Sequence, residues 1–275
     1  MRVHLYGHGQ MGKHHARHLR DLGLSLSIID PLLNSPPPPD RPDAAVIAVP
    51  TALHLAVAEP LLQAGIPCLI EKPLAASPEE AAALARYPRL MVGHIERYNP
   101  VIALLPPGVR YLQSERLAPP SPRALDVDVI LDLMIHDIDL FLSMKPEDPV
   151  VDLRADGLVV HSGKADIVQA RIQTASGRVG TLTASRVSRQ PVRRLRAFTS
   201  DSYWSLDLLQ RRAHCVRWAE GLEEQPQEPP SWDALRRELE VFLEAVRSGA
   251  PFPIDGTAGQ RAVEVAVAIK EAMCG

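Results

Sequence analysis

The stretch Gly7-His8-Gly9-Gln10-Met11-Gly12 constrains this chain more than any other. Its three glycines follow a short apolar run, residues 2–7, that reads as a strand. They precede a stretch where Met11, His15, His18, Leu19 and Leu22 recur at helical spacing. In a strand–turn–helix context, the first glycine makes the tight turn. The second lets the backbone approach a pyrophosphate, and the third lets helix and strand pack closely, with the phosphates on the helix N-terminus. Such a unit expects an acid about 20 residues further on. Asp30 closes the second strand, where its carboxylate can accept both ribose hydroxyls and would repel a 2′-phosphate. The expectation is a dinucleotide, NAD rather than NADP, contacted by Gly7, Gly9, Gln10, Met11, Gly12 and Asp30.

The rest of the first 95 residues repeats the alternation. Helix 10–23 ends at Gly23, and strands are expected at 24–29, 44–49, 67–70 and from 90. Helices are expected at 53–64 and 78–86. Alternating strands and helices imply a parallel sheet. The proline-rich segment 31–42 can be neither helix nor ladder strand, because proline fixes φ and lacks the donor. Beyond residue 95 the pattern changes. Residues 127–142 read as one amphipathic helix, 150–220 as alternating, turn-punctuated strands, and 232–246 and 257–272 as closing helices. The expected fold is α/β: an N-terminal Rossmann domain with a doubly wound parallel sheet (1–95), then an α+β domain with a mainly antiparallel open sheet (96–275).

Composition narrows the function classes. With 46% hydrophobic but only 4% aromatic residues, the 275-residue chain must build its cores from Leu, Val, Ile and Ala. A net charge of −3 offers no field to recruit nucleic acid. Cys68, Cys215 and Cys274 form no CxxC pair and no zinc spacing, so reduced thiols and no metal are expected. No apolar run approaches the roughly 20 residues of a membrane span. The opening residues read as a strand rather than a leader peptide, so no membrane and a cytoplasmic location are expected.

Two further groups carry chemistry. Glu71, Lys72 and Pro73 lie just past the fourth strand, on the edge that faces the ligand crevice in an open parallel sheet. A lysine there can hydrogen-bond a substrate hydroxyl, although a surface lysine on a loop would look the same. Pro50 and Thr51 occupy the equivalent edge of the third strand, and His54 is placed to point the same way, so these join Glu71 and Lys72 as expected cofactor contacts. Asp132 and His136 stand four apart on a helix and share a face, with Asp139 one turn on. An acid beside a histidine can fix its tautomer and raise its basicity for proton transfer. The alternative is a capping or ion-pair set on a solvent face.

GxGxMGxxHAR from Gly7 to Arg17, EKPLA from Glu71 to Ala75, and DxxxHDxD from Asp132 to Asp139 occur in the order and approximate spacing of one family. The chain resembles the glucose–fructose oxidoreductase, inositol dehydrogenase and rhizopine-catabolism (Gfo/Idh/MocA) superfamily over nearly its whole length. That resemblance implies a sugar or cyclitol dehydrogenase working as a dimer or tetramer. It implies His136 as acid/base, Lys72 assisting and Asp132 orienting. VGHIERYNP (92–100), LDLMIHDIDL (131–140) and ASRVS (184–188) further resemble bacterial dehydrogenases that oxidise the 3-hydroxyl of UDP-N-acetylglucosamine or its uronic acid. Those enzymes make a 3-keto sugar for transamination toward lipid A or surface polysaccharide. This implies substrate contacts from His94, Arg97, Tyr98, Asn99 and Asp139. It also implies a nucleotide pyrophosphate met by Arg186 and its neighbours Arg189, Arg193, Arg194 and Arg196, unless that run is a solvated sheet face or subunit contact. The alternatives are a dehydrogenase of a free sugar or cyclitol, and a non-catalytic dinucleotide-binding protein. The family usually has a helical crossover where this chain has its proline connector.

Overall fold

A computed structural model describes residues 1–33, 38, 40–121 and 128–273. The chain divides into two compact units. One is Met1–Ile95 with Asp233–Val263, the other Glu96–Trp232 with Glu264–Gly275. The expected division was 1–95 and 96–275, so residues 233–263 join the first unit instead.

In the first unit, β1 (Arg2–Tyr6), β2 (Ser25–Ile29), β3 (Ala44–Ile47), β4 (Cys68–Glu71) and β5 (Leu90–Gly93) form a parallel sheet in the order β2-β1-β3-β4-β5. Helices α1 (Gln10–Asp21), α2 (His54–Gln63) and α3 (Pro78–Ala85) connect β1 to β2, β3 to β4 and β4 to β5. The sheet core is aliphatic, with Val3, Leu5, Val46, Ile47, Leu69 and Ile70 all fully buried. Chain reversals after helices use glycine at positive φ, as at Gly23 (φ 70°), whose N–H bonds the Arg20 carbonyl at 2.9 Å. Between β2 and β3 the described residues hold only a single 3-10 turn, Pro31–Leu33. Residues 34–37 and 39 of the proline connector lie outside the described residues.

Two helices return late in the chain. Helix α5 (Ala234–Ser248) is N-capped by Asp233, whose carboxylate accepts from Arg236 N at 2.9 Å, and it packs on α1. The first turns of α6 (Gly256–Ala272) belong to the first unit and carry glycine where neighbours approach closely. A Cβ on Gly256 would stand 2.6 Å from Ala85 Cα, and one on Gly259 would stand 2.7 Å from Val92.

The second unit is an eight-stranded sheet. It holds β6 (Tyr111–Leu117), β7 (Val150–Leu158), β8 (Ile167–Thr174), β9 (Val179–Ser185), β10 (Val192–Phe198), β11 (Ser202–Asp207), β12 (Arg212–Arg217) and β13 (Gln225–Gln227). Their order is β13-β12-β11-β10-β6-β9-β8-β7, antiparallel throughout except for the parallel pair β6–β9. The turn signals read from sequence fall on two connections. Gly163 (φ 75°) lies between β7 and β8, and Gly177 (φ 84°) between β8 and β9.

The expected helix 127–142 is not uniform. It opens with a π-helical stretch, Ile130–Met134, in which Ile135 N–H bonds the Ile130 carbonyl, and continues as α4 (Ile135–Ser143). Residues 122–127 are outside the described residues. Helix α4 lies on β9, where Gly180 makes room for the Phe141 ring 3.0 Å from the position its own Cβ would take. Cys68 and Cys215 are buried and form no disulfide, and burial pushes the Cys68 thiol up to about 12. Cys274 lies outside the described residues.

Candidate active site

In the first unit a crevice of about 700 Å³ opens along the carboxyl ends of β1, β3 and β4. Gly7, His8, Gly9, Met11, Asp30, Pro50, Glu71 and Lys72 line it, joined by Lys13 and by Pro31–Leu33 of the turn after β2. The three glycines serve three separate needs. Gly7 has φ 91°, and a Cβ there would lie 2.5 Å from the Ala48 carbonyl oxygen. A Cβ on Gly12 would lie 2.1 Å from the Gly7 carbonyl oxygen. A Cβ on Gly9 would meet no protein atom within 4 Å, so that glycine keeps open space rather than relieving a clash.

Gly9 is also the N-cap of α1. It supplies no side-chain cap, and the first helical turn carries no acid. The first amide donors of α1 therefore point at the space above Gly9, which suits an anion such as a pyrophosphate. The cradle fits a dinucleotide. Asp30 accepts from Leu32 N at 2.9 Å and His8 N at 2.6 Å, and these bonds hold its carboxyl below the ordinary carboxylate value. It thus ties the glycine loop to the turn after β2 while remaining an anion with lone pairs toward the crevice.

Glu71 and Lys72 reach the crevice from the end of β4. Glu71 is 8% exposed, and its Oε1 lies 2.6 Å from Nε2 of the fully buried His15 on α1. Burial alone would raise the Glu71 pKa. The His15 bond and the charges of His15 and Lys72 outweigh it and leave the carboxyl below its usual value. Deeper in the same unit, Glu238 on α5 is fully buried with no hydrogen-bond partner for either carboxyl oxygen among the described residues. Burial and the nearby Glu71 charge push it well above the ordinary carboxylate value.

His54 does not meet the expectation of a cofactor contact. It is 1% exposed, and both ring nitrogens face backbone carbonyls: Nδ1 faces Pro73 at 3.0 Å and Leu74 at 3.2 Å, and Nε2 faces Val49 at 3.1 Å. It staples the loop after β3 to the loop after β4, and burial lowers its pKa. Thr51 starts a 3-10 turn beside Pro50, and Gln10 is the first residue of α1. His94, directly after β5, is 1% exposed.

In the second unit, Asp132 lies in the π-helical stretch and His136 in the first turn of α4, both half-buried. π-turns inside helices are frequent at functional sites. Arg97, Asp139 and Asn99, three of the expected substrate contacts, bond other protein groups through their side chains. Arg97 grips Asp139 with two bonds, Nε to Oδ2 at 2.8 Å and Nη2 to Oδ1 at 2.6 Å. Asn99 is 8% exposed and donates to Glu96 Oε2 at 3.0 Å and to the Leu208 carbonyl at 3.2 Å. The half-buried Tyr98 accepts the Trp232 indole N–H at its carbonyl, 2.8 Å away.

Arg186, expected at a pyrophosphate, is 6% exposed and donates to Asp166 Oδ1 at 2.9 Å and Ser162 Oγ at 2.8 Å. The same aspartate accepts the backbone N–H groups of Val160, His161 and Ser162 at 2.8, 2.6 and 3.1 Å. This cluster fastens the β7–β8 connection. Of the neighbouring arginines, Arg189 and Arg194 are exposed, and Arg193 reaches Glu96 Oε1 at 3.2 Å.

Sequence reasoning passed over one group entirely. Arg116 on β6 is 3% exposed and forks Asp137 of α4 through Nε at 3.0 Å and Nη2 at 2.8 Å. Its Nη1 donates to Glu96 Oε1 at 2.8 Å. Burial lifts Asp137 above its ordinary value against the pull of Arg116. For Glu96, burial also raises the pKa, but the charges of Arg116 and Arg193 reverse the sign. Among the described residues no group of three or more His, Cys, Asp or Glu could hold a metal ion. None of the described helices is long and apolar enough to cross a membrane.

Known proteins match this architecture. The family model GFO_IDH_MocA, described as an oxidoreductase family with an NAD-binding Rossmann fold, matches residues 25–89. A UDP-N-acetylglucosamine 3-dehydrogenase of Acidithiobacillus ferrooxidans is 42% identical over 247 residues, covering 84% of this chain and 79% of the relative. The solved structure of UDP-N-acetylglucosamine 3-dehydrogenase GnnA from the same organism superposes with a TM-score of 0.91 at 38% identity, covering 99% of this chain and 97% of the other. The myo-inositol dehydrogenase Hyg17 of Streptomyces leeuwenhoekii is 28% identical over 167 residues, 52% of this chain and 51% of the relative. A dinucleotide cradle with its acid in place, together with this likeness over most of the chain, means that the chain belongs to the Gfo/Idh/MocA family of oxidoreductases.

Proposed function

We propose that this chain is an NAD-dependent dehydrogenase that oxidises the 3-hydroxyl of UDP-N-acetylglucosamine, or of a close nucleotide sugar, to a ketone. The observation that carries this reading is the likeness to UDP-N-acetylglucosamine 3-dehydrogenase, at 38% identity across 99% of the chain. Bound NAD supplies the hydride acceptor. Gly7, Gly9 and the N-terminus of α1 hold its pyrophosphate, and Asp30 accepts its ribose hydroxyls. Lys72 hydrogen-bonds the substrate hydroxyl and supports negative charge on its oxygen as the proton leaves. His136 takes that proton, and Asp132 orients the imidazole and favours its charged form. The enzyme works in the cytoplasm as a homodimer or homotetramer. Val151, Leu158, Val159 and Val160 support an oligomer, because each is more than half exposed on or beside β7.

A second reading is a dehydrogenase of a free sugar or cyclitol. One observation favours it: Arg97 and Arg186, which were to meet a nucleotide pyrophosphate and sugar, are engaged with Asp139 and Asp166. A panel of UDP-N-acetylglucosamine, its uronic acid, glucose and myo-inositol, followed at the absorbance of reduced cofactor, separates the two. Turnover of the UDP-sugars is expected. Turnover of myo-inositol or glucose alone would overturn the nucleotide-sugar assignment. Replacing Asp30 with Ser should narrow the preference for NAD over NADP by roughly fivefold or more, since one repulsive charge near a phosphate is worth about 1 kcal/mol or more. An unchanged ratio of the two dissociation constants would remove Asp30 from cofactor choice.

A further inference from the structure

Helix α4 is held by two arginine forks. Arg116 on β6 grips Asp137, with bonds of 3.0 and 2.8 Å, and Arg97 grips Asp139, with bonds of 2.8 and 2.6 Å. Arg97 and Glu96 are neighbours on the 3-10 turn Ile95–Tyr98, and Glu96 accepts from Arg116 at 2.8 Å. The contacts therefore close a ring: Glu96, Arg116, Asp137, two residues of α4 backbone to Asp139, Arg97 and back to Glu96. The four side chains of Glu96, Arg116, Asp137 and Asp139 are at most 5% exposed, and that of Arg97 is 19% exposed. Paired forks of this kind fix orientation as well as charge.

The angular arithmetic gives the ring a purpose. Residues 136–139 lie within regular α-helix, where successive side chains turn by about 100°. From His136, Asp137 is about 100° one way and Asp139 about 60° the other. His136 thus falls in the arc between the two gripped positions. We propose that Arg116, Asp137, Glu96, Arg97 and Asp139 are positioning residues that fix the rotation of α4 and so the placement of the His136 imidazole. This rests on the proton-accepting role proposed for His136. A rotation of about 10° would carry an imidazole nitrogen, some 6 Å from the helix axis, about 1 Å, enough to cost on the order of a hundredfold in rate. Neither Arg97 nor Asp139 then needs to touch substrate.

The test uses the full chain and the conservative variants Arg116→Lys, Arg97→Lys and Asp137→Asn, which keep bulk and lose fork geometry. Each is expected to lower kcat by ten- to a hundredfold while KM for the sugar and Kd for NAD move less than about twofold. Exchanging the pair as R97D/D139R should recover at least tenfold of what either single change loses. A raised KM for the sugar with kcat intact in Arg97→Lys would overturn the proposal for Arg97 and Asp139, and mark Arg97 as a substrate ligand. An intact kcat and KM in Arg116→Lys would overturn it for the rest of the ring.

A readout without substrate guards against failure of the functional reading. Carbethoxylation of His136, followed by peptide mass spectrometry across pH 5–8, reports the imidazole directly. The rate of modification should change at least threefold in Arg116→Lys at unchanged melting temperature. An identical profile in that variant would sink the positioning role even if the sugar were wrongly identified. A changed profile with no turnover of any sugar would sink only the substrate assignment.

Discussion

The two units build their candidate sites from different materials. In the first, the crevice is made of backbone: glycines at Gly7, Gly9 and Gly12, an uncapped helix end, and one aspartate bonded to two amides. In the second, the helix bearing His136 is held by side chains, through buried guanidinium–carboxylate pairs on three elements. A site made of backbone needs particular residue types at fixed offsets along the chain, so it shows in the sequence. A site made of buried ion pairs depends on which strands become neighbours, and no local spacing records that.

This contrast can be broken most forcefully at Arg116. Arg116→Ala leaves Asp137 and Glu96 buried, and removing one partner of a buried pair costs about 3–5 kcal/mol. Urea unfolding should show a loss of that size, and Asp137→Asn added to Arg116→Ala should return part of it. A loss under about 1 kcal/mol would mean that water reaches the pair and that the ring is a surface feature.

The glycine loop should separate stability from binding in a way the ion pairs cannot. Gly12→Ala forces a Cβ to 2.1 Å from the Gly7 carbonyl, so a loss of about 2–4 kcal/mol is expected. Gly9→Ala meets no protein atom within 4 Å, so stability should stay within about 0.5 kcal/mol. Its NAD affinity, by calorimetry, should nonetheless fall at least tenfold. Equal effects of the two substitutions on melting would contradict the separate roles of these glycines.

The smallest effect is expected at Glu238, where the first unit breaks its own rule with a buried acid. Its folded pKa stands above the unfolded value of 4.5. The proton it holds contributes stability that is complete below pH 4.5 and is lost as pH rises through the folded value. Glu238→Gln has no such proton to lose. The melting temperature of the variant relative to the native chain should therefore climb as pH increases from 4.5 toward 9. A gap that stays constant would show that Glu238 is ionised and satisfied in the fold.

How much was legible follows the same division. The parallel sheet of the first unit, though not its strand order, came from alternating apolar runs and glycine stops, and Asp30 was picked out by its distance from Gly7. The return of α5 and early α6 to that unit left no local trace, since both read as ordinary amphipathic helices. Strand β6 went unread because two of its three inward residues, Ser114 and Arg116, are polar alongside Leu112, which erases the alternation. Arg97, Asn99, Asp139 and Arg186 were legible as polar residues that ought to matter. Their partners Asp166, Glu96 and Leu208 lie 20 to 109 residues apart in sequence from the groups they bond, except where Glu96 meets Asn99 three residues on. His15 showed as part of a buried helix face, but its bond to Glu71 spans 56 residues.

The π-helical stretch has a consequence for how this gene can vary. A bond from Ile135 N–H to the Ile130 carbonyl encloses one residue more than an α-helical turn would. Losing a single codon there would let the same turn close as an ordinary i to i−4 bond, so the residues on either side would keep their angular register. The same loss in the regular helix that follows would instead rotate everything upstream by about 100°, so the π turn is where this helix best absorbs a change of length.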